Sequence, residues 1–539
     1  MAGAAAIASL RAAARECHAP SFTDEQAAQG LAVADELRAR FLPPASLLQL
    51  PADILSTILS RLDIRDLARL AAIRRSLWSD APTSPPPPRD IGLVETELRR
   101  RAEARCLNVS SSLPEGTSSW VAYLLKRDRR DAQMRQAPLS LGQVHDVFVD
   151  TGGRLLTCGR DAGAHCLGHS VDPVADLDVR REIGLATPVP SMQNRRIVSV
   201  SASDWHSLAL SADGEVYSWG SGVYGALGHG DIDERAEPSR IQLLSRIERI
   251  AAGKNWATSA AVDENGRLFT WGRAIFRVKL KDSDGEFEEF EGPSGLGYEL
   301  DAETEYQTTP KQVDALSQDR VLGVALGYGF TLVVTDAGAV FFFGCSTAGV
   351  LGYGSLEGEV LESEVLPRRI EALAEMGRFV AVAAGSRHSL ALTEGGELYG
   401  WGAGNANGHG REERTPHRVA ALIGKHVKLV GTSESASCAV TEKGELFTWG
   451  GNPLGENSFL GHEVAAPQAT PKRVEAFVGA RIAAVAMAVY HTLVADEDGA
   501  VWGFGTRMGL SLGATVLGDA LVQTPTPIPT LRVRVMNSP

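Results

Sequence analysis

Residues 211–220 read SADGEVYSWG. Asp213-Gly214 offers the positive φ angles of a tight hairpin turn, and Glu215 to Trp219 alternate between two faces as a strand does. HSLAL at 206–210 is the partner strand, and the short apolar run RIVSVSAS at 196–203 supplies a third. Downstream, the glycine-rich bend GVYGALGHG and a β segment carrying Pro238 complete a four-stranded unit.

The unit recurs. A Cys-Gly, Trp-Gly or Phe-Gly pair stands at Cys158, Trp219, Trp271, Phe343, Trp401, Trp449 and Phe504, at intervals of 48 to 72 residues, and a glycine lies five positions before each: Gly153, Gly214, Gly266, Gly338, Gly396, Gly444 and Gly499. Seven coincidences in seven exceed what 56 glycines in 539 residues produce by chance. Prolines at 188, 238, 310, 367, 416, 471 and 525 fall where the chain crosses to the next unit, since proline cannot occupy a central strand. Seven four-stranded units predict a seven-bladed β-propeller. Blade 1 has a thin start, PLSLG before His145, and LRVRV (531–535) follows the last motif proline with no blade of its own. The expectation is that LRVRV closes the ring against blade 1, because an unpaired strand edge invites aggregation.

The order VxxVAAGxxHSLAL, then GxLYxWGxGxxGxLGxG, then TPxxV resembles the repeat of the regulator of chromosome condensation family, over residues 138–535. The third unit departs from it with RVKLKDSDGEFEEFEGPSG (277–295). The bland reading is a solvated loop. The functional one is a contact loop in which Asp282, Asp284, Glu286, Glu288, Glu289 and Glu291 favour a basic partner, with Phe287 and Phe290 as apolar anchors.

Ahead of the repeats, LQLPADILSTILSRLDIRDLARLAAIRRSLW (48–78) places apolar residues at spacings of three and four, the mark of short amphipathic helices, which Pro51 and Asp53 suit at a first turn. The pattern resembles an F-box, with Trp78 one place later than usual. That resemblance implies three helices docking on the adaptor of an SCF ubiquitin ligase through Leu50, Pro51, Ile54, Leu55, Ile58, Leu59, Leu62, Leu67 and Leu70. The expected organisation is an N-terminal extension with a helix (1–45), the F-box (46–80), a proline-rich spacer with two helices placed to brace the F-box against the propeller (81–135), and the propeller (136–539). The fold class is mainly β, a seven-bladed β-propeller preceded by a small all-α F-box region.

Charge and composition narrow the functions. The net charge of −13 is uneven: residues 1–135 hold 19 Lys+Arg against 16 Asp+Glu, leaving 34 against 50 in the rest. A strongly acidic propeller repels phosphate backbones, so nucleic acid is not an expected partner. No stretch reaches the roughly 18 apolar residues of a membrane span, and MAGAAAIASLRAAARE lacks the apolar core of a secretory signal. Six cysteines without a CxxC pair argue against structural zinc and a disulfide framework. No P-loop or GxSxG is present. His145, His206, His388 and His491 share one repeat position, but on separate blades, and read as buried hydrogen-bonding groups rather than metal ligands. The other units place there Thr258 or Trp256, Phe330, and Ala436 or Glu434.

The expected function is that of a substrate-recognition subunit of an SCF-type E3 ubiquitin ligase in the cytoplasm and/or nucleus. Its partners would be adaptor, cullin scaffold and protein substrate, with no catalytic residues, cofactor, metal or membrane. The alternative is guanine-nucleotide exchange on a small GTPase. A third class, ultraviolet sensing, rests only on the echo of a tryptophan-rich stretch in Asp204-Trp205-His206-Ser207.

Overall fold

The computed structural model describes residues 137–535 apart from 144, 161–164, 170–181, 254–256, 282–286, 302–303, 347–348, 355–361, 452–456 and 507–521. The expected extension, F-box, spacer and bracing helices lie outside the described residues.

Within 137–535 the seven units form seven four-stranded antiparallel sheets, each running outward in chain order from its first strand to its fourth. Blade 2 is typical: Ile197–Ala202, His206–Ser211, Val216–Gly220 and Arg235–Arg240. First strands in the other blades are Leu139–Leu141, Ile247–Ala252, Val321–Leu326, Phe379–Ala384, Val427–Thr432 and Ile482–Met487. These seven touch their neighbours all the way round, blade 7 against blade 1 included, so they line the axis of a closed ring. The fold is a seven-bladed β-propeller.

The glycine repeat has a backbone cause. In all seven blades the glycine five places before the aromatic or cysteine has φ between 78° and 82°, which a residue with a Cβ adopts only at a cost. A second glycine, after the aromatic, is a close approach: a Cβ on Gly220 would lie 2.6 Å from the Trp205 carbonyl oxygen.

The pairing of third and fourth strands slips at the aromatic position in every blade. Six motif prolines sit in that slip on the outermost strand, where a missing N–H breaks no ladder. Blade 1 is the exception. Pro188 pairs with Leu156, two places beyond the slip, and Ala186 holds the place proline has elsewhere.

Apolar side chains gather between blades rather than within them. Each of the seven junctions holds one cluster, for example Leu208, Leu210, Ile241, Ile247, Ala261 and Trp271 between blades 2 and 3. The repeated tryptophans explain themselves there. Trp219, Trp271, Trp401 and Trp449 are fully buried, and each Nε1 donates to a carbonyl in the bend of the preceding blade: Cys166, Ala226, Val350 and Ala406, at 2.6 to 2.8 Å. Burial of so large a ring is favourable only when its N–H is satisfied.

Ring closure combines two segments. Val522–Arg532 is the outermost strand of blade 7, so the start of LRVRV belongs to that blade. Beyond it Val533 bridges Asp150, and Arg534 N donates to Val149 O at 3.0 Å. Val533 N also bonds Gly499 O, as Ile482 N bonds Gly444 O one blade earlier. Val533 therefore stands where the first residue of a blade 1 inner strand belongs, and Leu139–Leu141, three residues against six elsewhere, supplies the remainder.

Candidate functional site

The blade meander sends its connections to two faces. Asp-Gly-type turns and the links between blades share one, here the turn face. First-to-second loops and third-to-fourth connections share the other, the loop face.

The four histidines begin second strands and cross the junctions. Nε2 of His145 meets Ser207 Oγ at 2.7 Å, His206 meets Ser259 at 2.8 Å, and His388 meets Ser437 at 2.8 Å, each partner on the next blade. Thr258, Phe330 and Ala436 fill the same place in blades 3, 4 and 6. These are staples between blades. Burial pushes His206 down to about 4, and His145, repelled in addition by His206 and His491, to about 3, so both rings are neutral.

The seam differs. His491 of blade 7 meets Asp146 of blade 1 at 2.8 Å, both completely buried. Asp146 stands where other blades have serine or threonine, and faces Cys158 where they have tryptophan or phenylalanine. Burial raises the Asp146 carboxyl, against the opposing pull of His491.

A second histidine set went unread in the sequence. His169, His229 and His462 follow the bend glycine and bond Thr157, Ser218 and Thr448 on their own third strands, at 3.1, 2.9 and 3.1 Å. His409 faces Gly400, which has no hydroxyl, and bonds its carbonyl instead. The recurring LGH/LGY triplet was the signal available.

The charged insertion is not a loop. Ile275–Lys281 and Phe287–Pro293 form an antiparallel hairpin whose register sets Arg277 opposite Glu291 and Lys279 opposite Glu289. Arg277 bonds Glu291 at 3.0 Å and Glu305 at 2.8 Å. Alternation in the first arm, Phe276, Val278 and Leu280 against Arg277, Lys279 and Lys281, suits a strand. Phe287, Glu288, Glu289, Phe290 and Glu291 lie on the second arm, Asp282, Asp284 and Glu286 outside the described residues, and basic residues of the first arm face part of the acidic run.

The loop face also gathers exposed side chains whose type differs from blade to blade. Trp205, Val223, Ile232 and Tyr306 are exposed, around Tyr224, on which the Arg273 guanidinium stacks 4.3 Å from the ring centre. Tyr490 and Arg387 are exposed on other first-to-second loops. Trp205, Val223, Tyr224 and Ile232 belong to blade 2, Arg273 and Tyr306 to blade 3; Trp205, Arg387 and Tyr490 share the position before the second-strand histidine, with a different residue in each.

The Regulator of chromosome condensation (RCC1) repeat matches residues 213–258, 337–392 and 443–495, and a second form of it matches 197–226 and 379–410. The chain carries RCC1 repeats on a seven-bladed propeller. It is similar to the human E3 ubiquitin-protein ligase HERC2, 33% identical over 370 residues, covering 67% of this chain and 7% of the relative. It is also similar to the Ultraviolet-B receptor UVR8 of Arabidopsis thaliana, 31% identical over 284 residues, covering 50% and 57% respectively. The chain thus spans less than two thirds of either. Among solved structures, Prp20p of Saccharomyces cerevisiae, described with its binding to Gsp1p and histones, has a TM-score of 0.53 at 21% identity, covering 75% of this chain and 89% of that one.

Proposed function

We propose that the chain is the substrate-recognition subunit of an SCF-type E3 ubiquitin ligase. The carrying observation is the union in one chain of the leucine pattern at 48–78 with a propeller whose loop face exposes aromatic and aliphatic side chains. In this reading 48–78 binds the adaptor, which links to the cullin scaffold, the propeller holds the protein substrate, and catalysis belongs to the partners. A ligase among the relatives that share the propeller segment supports it. The test is co-purification of the full chain with an SCF adaptor. Leu50→Glu with Ile54→Glu should abolish the complex, since a charge forced into an apolar contact is left unpaired; unchanged affinity sinks the reading.

The likeness to Prp20p in fold favours a second reading, regulation of a small GTPase through the propeller. Accelerated nucleotide release by a chain that does not bind adaptor would select it.

A further inference from the structure

We infer that the loop-face corner between blades 2 and 3 is a docking surface for a basic peptide segment of a partner protein, held by apolar anchors. It deepens the reading of the propeller as the substrate-binding part and does not depend on residues 48–78.

The apolar members are contiguous. Trp205 is 51% exposed, Val223 54%, Ile232 52% and Tyr306 37%. Ser221 N donates to Trp205 O at 2.8 Å, which sets the Trp205 loop beside the blade 2 bend. Gly222 lies so close to the Ile232-Asp233 backbone that a Cβ on it would stand 2.0 Å from the Asp233 carbonyl oxygen. The Tyr224 and Tyr306 rings are 6.4 Å apart, and Gly230 N reaches Thr308 O at 2.9 Å, joining the bend to blade 3. Tyr224 itself has φ 58°, a conformation non-glycine residues adopt rarely, and it holds its ring between Arg273 and Tyr306. A rigid scaffold thus presents a cluster of large apolar side chains to water, which soluble surfaces seldom do without a partner.

Charge names the occupant. Among the described side chains, the cations at this corner are engaged within the chain: Arg235 by Asp231 at 2.7 Å, Arg277 by Glu291 and Glu305, and Arg273 by the Tyr224 ring. Carboxylates are in excess. Asp233 is exposed, with no cation partner among the described residues, and Glu234 has only His165, at 3.2 Å. An acidic rim around aromatic and aliphatic anchors suits a segment that alternates Lys or Arg with apolar residues, and exposed tyrosine and tryptophan faces accept such cations directly.

The experiment pans a phage-displayed random 12-residue library on the full chain and measures binding of the enriched peptides by fluorescence anisotropy. The expected peptides combine Lys or Arg with aliphatic or aromatic residues and bind more weakly as salt rises. Trp205→Ser with Tyr306→Ser should weaken them roughly tenfold or more, as loss of interface anchors does. Asp233→Lys should weaken them too, while Leu243→Ser, at a more exposed apolar residue on the turn face, should leave them unchanged. Melting of each variant checks its fold. Enrichment of acidic peptides, no enrichment, or undiminished binding to the folded double variant would overturn the inference. Adaptor co-purification is scored separately, so intact adaptor binding without peptide binding rejects this surface alone, and the converse rejects the ligase reading alone.

Discussion

The turn face and the loop face are built from the same seven units, yet only the turn face repeats its surface ion pairs. On the turn face, Arg246 pairs with Glu264 at 2.9 Å, Arg378 with Glu394 at 3.1 Å and Arg481 with Glu497 at 2.8 Å, the same two positions in blades 3, 5 and 7. On the loop face the recurrence lies beneath the surface, in the backbone bond from the residue after the second motif glycine to the carbonyl before the second strand, and not in the exposed side chains. That face carries connections of unequal length, a hairpin in one blade, exposed Tyr306, and three different exposed residues, Trp205, Arg387 and Tyr490, at one repeat position. A face that only closes hairpins converges on one solution seven times. A face that meets another molecule has no reason to.

The comparison predicts that damage follows repetition. Trp271→Ala empties a fully buried junction site and leaves the Ala226 carbonyl with one donor fewer, so a loss of about 3–5 kcal/mol is expected in urea unfolding. A loss below about 1 kcal/mol would show that the junctions do not hold the ring.

The seam comes next in size. Asp146→Ala leaves His491 Nε2 buried without its partner, at a cost of about 3 kcal/mol, whereas Asp146→Ser installs the pairing found at three other junctions and should recover most of it. Thermal melting of both variants decides. Equal destabilisation would mean the carboxylate is needed for more than that hydrogen bond.

Acid should erode the junctions in proportion to their neutral histidines. His145 and His206 have folded values below their unfolded one, so their contribution is complete above about pH 6.5 and declines as pH falls toward about 4. Asp146, raised by burial, works in the opposite direction over a window that runs upward from the ordinary carboxylate value. Urea midpoints at pH 7.5, 6 and 5 should fall in that order, and His206→Gln should flatten the slope; an unchanged slope would remove His206 as a contributor.

The smallest effect separates the faces most sharply. Arg246→Ala on the turn face and Tyr306→Ser on the loop face should each change stability by about 1 kcal/mol or less, because Arg246 is largely solvated and Tyr306 lies at the surface, part exposed. Only Tyr306→Ser should alter peptide binding. A binding defect in Arg246→Ala would reverse the assignment of the faces.

Blade number and strand order were legible because the constraint was local: a glycine at positive φ, four residues, an aromatic or cysteine, a second glycine. What the junctions do was half legible. The histidine position stood out in the sequence, but its partner lies about fifty or more residues away, on the next blade, and Asp146 opposite His491 is visible only once the ring is closed. The insertion was read by composition, although the alternation of its first arm, IFRVKLK, spelled one strand; the second arm, FEEFEGP, does not alternate and shows itself only in the pairing. The Trp205 to Tyr306 corner had no linear signature, because it joins parts of two blades about a hundred residues apart.

The seam also sets a schedule for biosynthesis. Asp146 and His491 are 345 residues apart in the chain. At 5–20 residues per second a ribosome takes roughly 17–70 s to travel from one to the other. Throughout that interval blade 1 has an inner strand without the residue Val533 later contributes, and a carboxylate without the imidazole it is built to meet. Nascent chains in that window are open arcs with one raw edge, and are the molecules on which a chaperone, or a neighbouring nascent arc, has the best opportunity to act.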